Sequence, residues 1–105
     1  MEMSKYILQI LRASLTTVFS WGFHSPRATQ EGLMFKVRGF IHQGWVHIKY
    51  NEGSDLFDVD LLSPQRECVE TIESVSFDDL VYTIDQAVER VPDYDERVKR
   101  TYYLQ

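Results

Sequence analysis

Residues 32–62 hold three short segments in which apolar and polar side chains alternate, with glycine-bearing turns between them. A period of two residues marks a strand with one buried face, and three in succession leave a chain few ways to fold. In Leu33-Met34-Phe35-Lys36-Val37-Arg38 the inward set is Leu33, Phe35 and Val37, and Met34, Lys36 and Arg38 face away. In Trp45-Val46-His47-Ile48-Lys49-Tyr50 the inward set is Val46, Ile48 and Tyr50, leaving Trp45, His47 and Lys49 outside. In Leu56-Phe57-Asp58-Val59-Asp60-Leu61 it is Phe57, Val59 and Leu61, with Leu56, Asp58 and Asp60 outside.

A one-residue slip would send every side chain to the wrong face, so registers are limited to steps of two. Pairing Val37 with Val46 sets Phe35 opposite Ile48 and Lys36 opposite His47. Pairing Val46 with Val59 across Asn51-Glu52-Gly53-Ser54 sets His47 opposite Asp58. A shift of two in this second hairpin instead sets Lys49 against Asp58 and His47 against Asp60. In either register the outer face runs from a basic strand through a mixed one to an acidic one, and opposite charges across strands contribute about 0.2–1 kcal/mol per pair.

The flanks read as helices. Residues 4–21 place Ile7, Ile10, Leu11, Ser14, Leu15, Val18 and Phe19 at helical spacing, with Ser4 as N-cap and Gly22 as the stop. Residues 21–31 form a connection broken by Ser25-Pro26. After the turn at Ser63-Pro64-Gln65-Arg66, residues 67–75 are β-branched and alternate, which predicts a fourth, peripheral strand; its glutamates oppose edge-to-edge association. Residues 76–91 carry Ser76 as N-cap, a Val75–Leu80 staple and a stripe of Phe77, Leu80, Val81, Ile84, Ala87, Val88 and Val91, ended by Pro92. Residues 92–105 are a C-terminal extension with Tyr94, Val98 and Tyr102 at i, i+4 spacing. The sum is a single α+β domain, a two-layer sandwich in the order α-β-β-β-β-α, with an antiparallel meander and helices packed on one face.

Length and composition agree: 105 residues suit one domain, able to bury about two-thirds of its unfolded surface. A net charge of −5 argues against general binding to nucleic acid or anionic membranes. The one cysteine, Cys68, cannot form an intrachain disulfide, which suits a reducing compartment. Residues 1–5 lack a signal-peptide layout, and the stretch from Tyr6 to Trp21 is interrupted by polar residues, so no membrane span and a cytoplasmic location are expected.

Catalytic chemistry finds little footing. Asp58 and Asp60 share a face at roughly 6–7 Å, with Asp55 and Asn51 near, as a Mg²⁺ or Ca²⁺ site would require. His47 and Lys49 beside them favour a solvated charge ladder, in which nearby aspartates raise the pKa of His47. His24, His42 and His47 match no zinc spacing. Cys68 with a histidine lacks an oxyanion donor, and no phosphate loop or nucleophile elbow occurs. No catalytic residue, metal or cofactor is expected.

The outer sheet face is the better candidate surface. Lys36, Arg38, Trp45, His47 and Lys49 combine positive charge with an aromatic ring, the chemistry that stacks and neutralises nucleic acid. Trp45 beside Arg38, joined by Phe40 and Ile41 in the turn, has the composition of a protein-binding hot spot. Against this, residues 94–104 or the Trp21-Gly22-Phe23 connection, folding over the face, would bury it within the chain.

Gly32-Leu33-Met34-Phe35-Lys36-Val37, Gly44-Trp45-Val46-His47-Ile48 and Asn51-Glu52-Gly53-Ser54-Asp55-Leu56-Phe57-Asp58-Val59 together resemble small uncharacterised α+β proteins of bacterial phages and mobile elements. Phe57 stands where that pattern usually has tyrosine. The resemblance implies a small cytoplasmic accessory protein with no assigned activity. The expectation is therefore a non-enzymatic protein that binds a protein partner or its own copy. The alternatives are a nucleic-acid-associated protein using the outer face, and a metal-dependent enzyme centred on Asp58, Asp60 and His47.

Overall fold

The computed structural model describes residues 3–90. Its centre is a five-stranded antiparallel meander in the order β1-β2-β3-β4-β5. The strands are β1 (His24–Ala28), β2 (Gly32–Arg38), β3 (Gln43–Asn51), β4 (Leu56–Leu62) and β5 (Cys68–Val75). Helices α1 (Met3–Arg12) and α2 (Leu15–Ser20) precede the sheet, and α3 (Leu80–Val88) follows it. The fold is α+β, as the alternation predicts.

The inward sets read from the sequence do form the core. Leu33, Phe35, Val37, Val46, Ile48, Phe57, Val59 and Leu61 join Ile7, Leu11, Val18, Trp21, Leu80, Ile84 and Val88 in one buried cluster. Removal of these side chains from water supplies the main driving force for folding.

Both registers step by two from the first pairings considered. Phe35 pairs with Val46 and Val37 with Gly44, while Lys49 pairs with Asp58 and His47 with Asp60. A two-residue step keeps every side chain on its face. The first hairpin closes tightly through Gly39 N–H to His42 O at 3.0 Å. The turn then docks on α3, where Val88 O accepts both Ile41 N–H and His42 N–H. Gly39 permits this approach, because a Cβ there would stand 2.1 Å from Val88 O.

Three expectations need correction. The predicted helix over 4–21 is two helices. Ala13 N–H and Ser14 N–H bond back three residues, to Ile10 O and Leu11 O, and Ser14 leaves helical geometry at φ −136°, ψ 50°. That break turns Phe19 outward to 65% exposure with Leu15 also exposed, and sends Val18 and Trp21 inward. Gly22, at φ +69°, then closes α2 as expected, its N–H bonding Phe19 O.

The connection over 21–31 contains an edge strand, β1. Two residues between His24 and Arg27 oppose one on β2: Ser25, at φ +54°, and Pro26 form the bulge. Proline is tolerated at an edge, where a missing N–H breaks no ladder bond, and the bulge erases the alternation that would announce a strand. Trp21 and Phe23 do not cross the outer face; both rings pack against Phe35 on the inner side.

The last helix starts later than residue 76. Ser76 Oγ bonds Asp79 Oδ2 and Asp79 N–H bonds Ser76 O, forming a turn that leaves Phe77 exposed, and Asp79 takes the N-cap position. Val91 and residues 92–105 lie outside the described residues. The expected fourth strand is β5, and it carries two irregularities opposite β4.

Candidate functional site

The outer face of the sheet divides into an acidic end that is satisfied within the chain and a basic end that has no counter-charge among the described residues. At the acidic end, Lys49 Nζ lies 2.8 Å from Asp60 Oδ2, and Thr71 Oγ1 donates to Asp60 Oδ1 at 2.8 Å. Asp58 Oδ1 accepts the Ser74 N–H at 3.0 Å. Burial works against the charge of Asp60, but the hydrogen bonds from Lys49 and Thr71 outweigh it and hold the carboxyl below its ordinary value. The bond to Asp60 correspondingly raises the Lys49 pKa.

His47 stands beside this pair, with Nε2 2.9 Å from Thr29 Oγ1, which itself accepts Gly32 N–H. Burial lowers its pKa and outweighs the opposite pull of Glu31 and Asp60. That reverses the shift expected from its aspartate neighbours alone. Among the described residues no three His, Cys, Asp or Glu side chains gather closely enough to hold a metal ion. Cys68 lies on β5 with its Sγ against Glu70 O and Thr71 Oγ1.

The basic end is built around Trp45, which β3 places on the outer face opposite Lys36 and Leu62. Here the expected exposed hot spot is corrected: Trp45 is only 3% exposed. Among the described residues, three cations stand close to its ring. Lys36 Nζ lies 4.9 Å from the ring centre, Arg66 Cζ 4.7 Å and Arg27 Cζ 5.5 Å. Such contacts contribute about 0.5–1 kcal/mol each where water has access. Arg27 arrives from β1 and Arg66 from the β4–β5 loop, where its φ of +69° marks a tight reversal.

Beside the indole, His24, Lys36, Arg38, Gln43, Trp45 and Pro64 line a shallow cleft of about 240 Å³. No family model, curated protein or solved structure matches the chain. Its chemistry therefore has to be read from this geometry.

None of Arg27, Lys36, Arg38 and Arg66 forms a side-chain hydrogen bond or ion pair with a described residue; the ion pairs there are Lys49–Asp60 and Arg90–Asp85. Phe40 and Ile41, at 37% and 51% exposure, stand on the adjoining β2–β3 turn, held by Ile41 N–H to Val88 O and Phe40 N–H to Glu89 Oε1. The face thus brings Lys36, Arg38 and Trp45 together near the Phe40–Ile41 turn. It assigns His47 and Lys49 to the acidic end instead. Arg27 and Arg66 were missed from sequence because they lie in a bulged strand and a loop, where no periodicity points to a face. No helix among the described residues is long and apolar enough to cross a membrane.

Proposed function

We propose that this chain is a non-enzymatic accessory protein of the cytoplasm that binds a partner protein through the basic end of its outer sheet face. The supporting observation is the contrast between the two ends. Asp58 and Asp60 are bonded within the chain, whereas Arg27, Lys36, Arg38 and Arg66 have no carboxylate partner among the described residues. Like charges gathered without a counter-charge favour an acidic surface from outside, and such complementarity sets partner choice and association rate. Phe40 and Ile41 add exposed apolar area beside the cations. A foreign partner fits better than edge pairing between copies, because β1 and β5 are both irregular at their pairing edges.

Crosslinking of the full chain in its native lysate, followed by mass spectrometry, identifies the partner, and purified components then give affinities. Arg27→Glu with Arg66→Glu abolishes binding to an acidic partner, while Lys49→Glu leaves most of it. Equal affinity for all variants would reject the basic end as the contact surface.

A further inference from the structure

We infer that the cation cluster over Trp45 is a phosphoryl-binding site, and that the partner presents a phosphorylated side chain to it. This deepens the proposed function and rests on it. The charges of Arg27, Lys36 and Arg66 all gather around one side chain, each within 5.5 Å of the Trp45 ring centre. The contact that holds them is with an indole, which accepts no hydrogen bond in its plane. The N–H donors of Arg27, Lys36 and Arg66 are therefore unspent toward the described residues. Two guanidinium forks and an ammonium suit a phosphate dianion, which offers three acceptor oxygens and close to two charges, better than a carboxylate with two oxygens and one charge.

The surroundings favour one phosphoryl group over a run of them. Across the same face lie Asp58 and Asp60, and the β4–β5 connection next to Arg66 carries the exposed Glu67. A nucleic-acid backbone extended in that direction would meet these carboxylates, and the chain as a whole carries a net charge of −5. Stacking of bases needs an open ring, and Trp45 is covered. A phosphorylated serine, threonine or tyrosine places its charge at one point. The adjoining Phe40 and Ile41 then meet apolar residues flanking it.

The test uses the isotope-labelled full chain at constant ionic strength. It is titrated separately with inorganic phosphate, a short glycine-rich peptide bearing one phosphoserine, the same peptide with glutamate in its place, and a short oligothymidylate. The Trp45 indole N–H and the Arg27 and Arg66 Nε–H resonances report the site, and the core Trp21 indole N–H reports the integrity of the fold. The phosphopeptide shifts the site resonances saturably and binds about tenfold more tightly than the glutamate peptide, as expected for one added charge-assisted contact. Arg66→Gln weakens it about as much with the Trp21 resonance unmoved. Arg27→Gln is the second variant should the first disturb the loop.

Saturable binding of inorganic phosphate at the same resonances also supports the site. Shifts reproduced by chloride alone, equal affinity for the glutamate peptide, binding of inorganic phosphate without the phosphopeptide, or tighter binding of oligothymidylate would each overturn it. Equal affinity for the glutamate peptide removes the phosphoryl assignment yet leaves the acidic-partner reading standing. That reading falls on its own evidence, if the double charge reversal leaves partner affinity unchanged.

Discussion

Trp21 Nε1 donates a 3.0 Å hydrogen bond to Asp85 Oδ1, tying the end of α2 to α3 across 64 residues of chain. Asp85 is buried, and its second oxygen faces Arg90 Nε at 3.3 Å. Trp21→Phe keeps an aromatic ring against Phe35 but leaves Asp85 Oδ1 without that donor. The expected loss is about 1–3 kcal/mol for an unsatisfied buried acceptor, in addition to the lost indole volume, read as a lower urea midpoint with unchanged slope.

Trp45 tests whether cations seal an aromatic ring on an otherwise open face. A scattered surface tryptophan replaced by alanine costs little, whereas a buried one costs about 3–5 kcal/mol. Trp45→Ala is expected toward the upper range, because the ring is 3% exposed. Chemical denaturation distinguishes the two outcomes, and a loss below about 1 kcal/mol would mean the cations do not hold their places over the ring.

Gly39→Ala is expected to destabilise by about 1–3 kcal/mol, the usual consequence of forcing extra volume into a tight contact. The added methyl would stand 2.1 Å from the Val88 carbonyl oxygen, so the turn must lift from α3. Thermal unfolding measures the loss. Amide exchange at Ile41 and His42 accelerates with it, because both N–H groups bond Val88 O.

His47 gives a pH dependence with a defined sign. Its folded pKa lies below the ordinary 6.5, so the unfolded chain binds the proton more readily. Its contribution is fully present above that value and is lost as pH falls through it toward the lower folded pKa. Asp60, also lowered, adds a loss of the same sign at more acidic pH. Between about pH 8 and about pH 5 the chain therefore loses more stability than His47→Gln does, measured by urea unfolding at each pH. A variant with an unchanged slope would show that burial does not govern this imidazole.

The sheet was legible because Leu33, Phe35 and Val37, like Val46 and Ile48 or Phe57 and Val59, repeat at a spacing only a half-buried strand explains. β5 was legible from its β-branched residues, Val69, Thr71, Ile72 and Val75, rather than from a buried face. Helix limits were less so: Leu15 and Phe19 fit the helical stripe, and only the back-bonding at Ala13 and Ser14 takes them out of it. β1 was hidden by its bulge and by Pro26. The faces of Lys36, Arg38 and Trp45 could be assigned from alternation, but the burial of Trp45 could not. It depends on Arg27 and Arg66 arriving from segments with no period of their own. Long side chains close over a ring by reach, and reach leaves no trace in local pattern.

The mismatched residues in the first and last strands have a consequence for the molecule in a crowded solution. A neighbour that tried to continue the ribbon past β1 would meet a bulged strand holding Pro26, which offers no amide proton, and past β5 a strand whose pairing with β4 is twice interrupted. Both rims of the described sheet are thereby poorer templates for another strand than straight, fully hydrogen-bonding edges would be.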